Sequence, residues 1–96
     1  MRKYETLVIM RPALEEEQMS AVLDEVRAIV SRQGGQITRV DVWGLRRLEY
    51  PIKHEDSGNY AVVNFTSEAS AVKEMERVMG IRDDVLRTKT VVIGKE

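Results

Sequence analysis

A chain of 96 residues can build one hydrophobic core but not two, so residues 1–96 read as a single domain. Cysteine is absent, which excludes disulfides, thiolate metal sites and cysteine nucleophiles and fits a reducing cytosol. The 15 basic and 16 acidic residues leave a net charge of −1, so bulk charge neither favours nor excludes a polyanionic partner. No apolar run approaches the roughly 20 residues of a membrane span, and no membrane partner is expected.

Residues 1–5, Met1-Arg2-Lys3-Tyr4-Glu5, lead directly into a strand and carry no targeting signal, so the protein is expected to act where it is made. Residues 4–10 are rich in aromatic and branched side chains, and Arg11-Pro12 stops the strand because proline cannot donate to a ladder. Over 14–33, Met19, Val22, Leu23, Val26, Ile29 and Val30 recur at three- and four-residue spacing, which predicts an amphipathic helix. Glu15, Glu16 and Glu17 complement its dipole, and Gly34-Gly35 supplies a left-handed cap. A second strand is predicted over 36–48. Its alternation slips between Ile37 and Val40, and Gly44 marks another irregularity; Pro51 places its far end at a sheet edge.

Residues 53–58 read as a polar turn, and 60–65 as a third strand that is apolar on both faces. A second helix is expected to be capped by Thr66 or Ser67 and to bury Ala69, Val72, Met75 and Met79. Gly80 and Ile81 suit a Schellman-type stop with an apolar clasp. The fourth strand covers 85–93, and 94–96 form a short tail.

The order β-α-β-β-α-β, with right-handed crossovers, predicts an α+β, ferredoxin-like split arrangement: a four-stranded antiparallel sheet with both helices on one face. The other face is then left bare. Period two sends Lys3, Glu5, Leu7 and Ile9 outward on the first strand, Tyr60, Val62 and Asn64 on the third, and Arg87, Lys89 and Val91 on the fourth. Leu7, Ile9, Tyr60, Val62 and Val91 are therefore candidates for a protein-partner surface.

The densest stretch is Trp43-Gly44-Leu45-Arg46-Arg47-Leu48-Glu49-Tyr50-Pro51-Ile52. Two fixed cations beside flat rings suit phosphate binding and base stacking. The plainer alternative is a strand with solvated arginines and a core Trp43 and Tyr50. With the other strand-borne cations, the candidate RNA contacts are Arg2, Lys3, Trp43, Arg46, Arg47, Tyr50, Lys53, Arg87 and Lys89.

Catalysis finds little support. His54 is the lone histidine and sits in a turn, the three glutamates do not face one another, and Asp83-Asp84 fits a loop better than a metal pair. No glycine-rich phosphate loop occurs, Arg11-Pro12-Ala13 lacks the setting of an acylphosphatase loop, and residues 59–65 do not match the Gly-Phe-rich third strand of an RNA-recognition motif. No cofactor is expected.

The stretch 43–52 resembles the Trp-Gly-x-Arg-x-Leu-Ala-Tyr-Pro-Ile signature of the bacterial small-subunit ribosomal protein six family. The opening residues 1–5 and the segment Ile81-Arg82-Asp83-Asp84-Val85-Leu86-Arg87 are similar to that family's start and to its entry into the last strand. Glu49 departs from the usual alanine, and the chain lacks the long acidic tail of some members. The resemblance implies a cytoplasmic structural protein of the ribosome, not an enzyme. It further implies binding to the central domain of small-subunit rRNA with small-subunit protein eighteen, in support of platform assembly. The competing expectation is a ferredoxin-like ligand-binding or homo-oligomerising regulator. The first reading requires a monomer when isolated, the second a homodimer.

Overall fold

The computed structural model describes residues 1–95 and contains β1 (Arg2–Met10), α1 (Glu16–Arg32), β2 (Gln36–Ile52), β3 (Glu55–Ser67), α2 (Ala69–Ile81) and β4 (Val85–Lys95). The strands form one sheet in the order β2-β3-β1-β4, every neighbour antiparallel. This is the predicted split arrangement, with β2 at an edge as Pro51 requires.

The main core lies between sheet and helices. Val22, Val26, Ile29 and Val30 of α1 and Met75 and Met79 of α2 pack on Tyr4, Val8, Met10, Val63 and Phe65. The rings of Tyr4 and Phe65 stack with centroids 5.5 Å apart. Thr6, fully buried among them, shares a 2.8 Å hydrogen bond with the Thr90 hydroxyl, so its polar group is satisfied and ties β1 to β4.

Helix ends follow their caps more closely than the apolar pattern suggests. α1 begins after Glu15, whose backbone N–H donates to the Gln18 side-chain oxygen at 2.8 Å, so Leu14 lies in the preceding turn. Gly34, at φ +79°, ends it as expected. α2 starts later than predicted: Thr66 and Ser67 are buried at the end of β3, and Glu68 takes the cap position. Gly80 does not stop α2. The helix continues through Ile81, which is 75% exposed and clasps nothing; it ends where Arg82 turns extended and donates its backbone N–H to the Met79 carbonyl at 3.2 Å. Gly94 belongs to β4, and the part of the expected tail at Glu96 lies outside the described residues.

The β2–β3 hairpin is longer than its sequence implies. Its turn is only Lys53-His54, both in the left-handed region (φ +48° and +67°), and residues 55–58 are strand. The anticipated slips occur between Ile37 and Arg39 and between Val42 and Gly44, where Gly44 has φ +87°. A larger one follows. From Arg47↔Ser57 to Ile52↔Glu55, five steps on β2 match two on β3, so residues 48–51 bow out of the ladder.

That bow changes the helix-free face. It carries Leu48 over β1, where Leu48, Ile9 and Leu86 form a second buried cluster flanked by Leu7, Ile52 and Tyr60. Leu86 joins them because β4 has its own bulge: Ile9 pairs Arg87 and Met10 pairs Val85, leaving Leu86 as the extra residue. The face expected to be bare is thus covered at one end by its own chain.

Candidate functional site

Register sets the chemistry of the helix-free face. Leu7 lies between Val62 and Lys89, Ile9 between Tyr60 and Arg87, and Glu5 between Asn64 and Val91, so the predicted outward residues of three strands share one surface. Across β2, Arg39 pairs Asn64 and Asp41 pairs Val62, which adds these two to the same side. Sequence reading missed them because the bulge after Ile37 resets the alternation there. It also missed Leu48 and Leu86, whose positions depend on bulges in two different strands.

Trp43 sits at the slip opposite Tyr60, and the two rings stack nearly parallel, with centroids 6.4 Å apart at 6°. Trp43 remains 48% exposed, so it is no core residue. The Arg46 guanidinium lies 5.8 Å from the centroid of its ring, a cation–π contact of roughly 0.5–1 kcal/mol at an exposed site. Arg46 pairs Gly58 and Arg47 pairs Ser57, so the two side chains leave opposite sides of the strand. Both nevertheless line one open groove of about 300 Å³ with Trp43 and Tyr60. Neither forms a salt bridge among the described residues, and Asp41 is occupied instead by Arg39 at 3.6 Å.

Other candidates are placed less uniformly. Arg87 Nη1 donates to the Tyr50 hydroxyl at 2.7 Å, bridging the bowed segment to β4 above Ile9. Tyr50 stays 56% exposed, its ring free to stack. Lys89 and Val91 are exposed beside Leu7. Lys53 is turned toward the fold, donating to the Val85 carbonyl at 2.8 Å. Lys3 lies on the helix-free face at the far end of β1, about 20 Å from Ile9 at 3.3 Å per residue. Arg2, two residues before the core Tyr4, points to the helix side beside Glu68 and is separate from the face. Of the apolar candidates, Ile9 is only 6% exposed beneath Leu48 and Leu86, so its contribution to any partner surface is indirect. Val62, at 8%, is groove floor.

Nothing in this arrangement is built to make or break bonds. Among the described residues no three histidines or acids gather as a metal site. The surface offers guanidinium groups without salt bridges among the described residues, exposed rings and an apolar groove, features suited to binding and not to catalysis.

A profile of the family described as ribosomal protein S6 matches residues 3–92. The chain belongs to the ribosomal protein S6 family. It is 43% identical over 91 residues to small ribosomal subunit protein bS6 of Corynebacterium diphtheriae, covering 95% of this chain and 96% of that one. It is 45% identical over 87 residues to the bS6 of Heliobacterium modesticaldum, covering 91% of each. The crystal structure of 30S ribosomal protein S6 from Thermotoga maritima superposes with a TM-score of 0.88 at 27% identity, over 96% of this chain and 87% of that chain. S6 membership agrees with the resemblance read at 43–52 and makes this a structural protein, not an enzyme.

Proposed function

We propose that this S6-family chain binds the central domain of small-subunit rRNA together with small-subunit protein eighteen and supports assembly of the platform. The family makes it a small-subunit ribosomal protein, a ribonucleoprotein component acting in translation in the cytoplasm. The observation that carries the finer reading is the pair Arg46 and Arg47, free of salt bridges among the described residues and flanking the Trp43–Tyr60 stack. Guanidinium forks bind phosphate through two hydrogen bonds each, and exposed rings accept bases. Because Arg46 and Arg47 leave opposite sides of the strand, they reach two phosphates of one RNA turn instead of gripping a single one. Arg87 and Lys89 extend the cationic surface across the sheet, with Lys3 at its far end and Tyr50 available to stack. Lys53 and Arg2, turned elsewhere, are secondary contacts in this reading. Leu7, Tyr60, Val62 and Val91, supported from below by Ile9, form the protein-facing groove.

The double variant Arg46→Ala, Arg47→Ala tests it. It should fold as the wild type and bind central-domain rRNA more weakly in the presence of protein eighteen. Each lost phosphate contact should flatten the plot of log affinity against log salt by about 0.7–0.9. Unchanged affinity at low salt would remove this stretch from the RNA site. The isolated chain should behave as a monomer in sizing with light scattering; a stable homodimer would point to the regulator instead.

A further inference from the structure

The bow of β2 frames a groove of about 150 Å³ at the hairpin end of the sheet. Ile9 and Leu48 supply its apolar floor, and Tyr50 and Tyr60 add two rings to its lining. Its charged members come from different strands, Glu49 from the bow and Arg87 from β4. They share the groove without forming an ion pair, and the Glu49 carboxylate has no salt-bridge partner among the described residues. The bond from Arg87 Nη1 to the Tyr50 hydroxyl uses one guanidinium N–H and leaves the others for a ligand. A closed apolar cavity of about 150 Å³ admits one aromatic ring. This groove is open, so the second ring of a purine can project from it.

We propose that the groove binds a single unpaired guanine base of RNA. Charge decides against other occupants. A cation would gain Glu49 and be repelled by Arg87, and an anion would meet the reverse. A neutral, flat group with donors on one edge and acceptors on another gains from both. Guanine is such a group: N1–H and the N2 amine are adjacent donors for a carboxylate, while O6 and N7 accept from a guanidinium. Uracil flanks its one N–H with carbonyls that would face Glu49, and adenine and cytosine each offer a single donor group there. The base must leave its stack to enter, and the tyrosine rings and apolar floor replace the stacking lost. Glu49 lies two residues from Arg47 and would only weaken RNA binding unless it met a base donor. It stands where the family signature has alanine, so the contact is particular to this chain and does not follow from S6 membership. This inference rests on the RNA binding proposed above.

The test uses the full chain, saturated with small-subunit protein eighteen, and a central-domain rRNA fragment as probe. Unpaired guanines of the fragment are replaced one at a time by inosine, which lacks the N2 amine. The wild type should lose about tenfold in affinity at one such position. Glu49→Ala should bind the unsubstituted fragment about tenfold more weakly and be indifferent to inosine at that position. Its salt slope should match the wild type, because no phosphate contact is lost. Glu49 is exposed, so the variant should fold, which thermal unfolding checks; the inosine scan of the wild type reads the site without any substitution in the protein. Equal or tighter binding by Glu49→Ala overturns the inference, as does an inosine scan with the same outcome in both proteins. Weaker pairing of Glu49→Ala with protein eighteen in the absence of RNA would put protein in the groove and overturn it too. If the Arg46→Ala, Arg47→Ala variant weakens RNA binding and Glu49→Ala does not, the inference fails and the function stands. If neither does, both fail.

Discussion

At Gly35 an added Cβ would lie 2.7 Å from the Thr66 carbonyl oxygen, 2.8 Å from Ser67 Cβ and 2.9 Å from Val30 Cγ1. The neighbours are backbone and a packed core residue, so they have little freedom to yield. Gly35→Ala should therefore destabilise by about 1–3 kcal/mol through overpacking. Gly44 differs in kind. It has φ +87° with nothing within 4 Å of its missing Cβ, so alanine fits in space but not in conformation. Gly44→Ala should cost about 1–2 kcal/mol, the left-handed penalty alone. Urea unfolding midpoints give both values. Chain rearrangement in the Gly35 variant only, seen as chemical-shift changes at Val30 and Thr66, would separate the two causes.

The bowed segment of β2 is the element whose packing matters most to the face. Leu48 fills the space above Ile9 and Leu86, so Leu48→Ala should cost about 2 kcal/mol, at the low end for a buried leucine because the cluster is small and peripheral. Much of that loss should be local. Amides around the bow and the Lys53-His54 turn should exchange faster with solvent while those of Val8 and Ala61, in the main core, keep their protection. Equal loss of protection throughout would mean that the hairpin does not open as a separate unit.

This element also marks where the sequence stops being legible. Helix α1 was readable because its apolar spacing, first-turn acids and Gly34 all agree on one answer. The central strands were readable because they are apolar on both faces. The arm was not. Pro51 and the polar residues after it look like a strand's end, and only the contact of Leu48 with Ile9 and Leu86, each remote in sequence, makes them a continuation. Gly80 misled for a related reason: a helix stops where its backbone finds another partner, and here that happens at Arg82, two residues later. Among the candidate site residues, period two correctly put Leu7, Val62 and Lys89 on one face. It could not foresee that Lys53 would turn inward, or that a bulge would bring Asp41 to the same side as Glu5.

Across the whole molecule, charge is arranged by side. The exposed acids of α1, Glu16, Glu17 and Asp24, lie in the layer opposite the helix-free face, and even the shortest extent of the molecule is 21 Å. At physiological salt the screening length is about 8 Å, so the net charge of −1 says little about what the basic surface experiences. A second network holds one end of the fold. Arg11 donates to the Asp83 carbonyl at 2.6 Å and to the Glu55 carboxylate at 3.3 Å, joining the end of β1, the hairpin and the α2–β4 loop. Beside it, Arg82 gives the Asp84 carboxylate two hydrogen bonds of 2.9 Å. That guanidinium holds the Asp84 carboxyl below its ordinary value of 3.8, against a smaller opposing effect of burial. A depressed carboxyl stabilises the fold above its unfolded pKa, and the contribution disappears as pH falls through the folded one. Stability should therefore decline below about pH 4. The advantage of wild type over Asp84→Asn, measured by urea midpoints, should shrink between pH 5 and pH 3. A gap that stays constant over that range would show that the pair does not contribute through ionisation.

The hydroxyls of Thr6 and Thr90 meet across 84 positions of sequence. β1, central in the sheet and apolar through Leu7-Val8-Ile9-Met10, therefore gains its second neighbour only when the last strand has been made. At translation rates of 5–20 residues per second, that is a wait of roughly 4–17 s. During it the β2–β3 hairpin can form from local contacts, and β1 can dock on β3. The other edge of β1 stays open, with its ladder groups unpaired and its apolar side chains within reach of other chains. The topology that gives this protein a sheet face for partners thus also sets an interval during synthesis when its most apolar strand is half-protected.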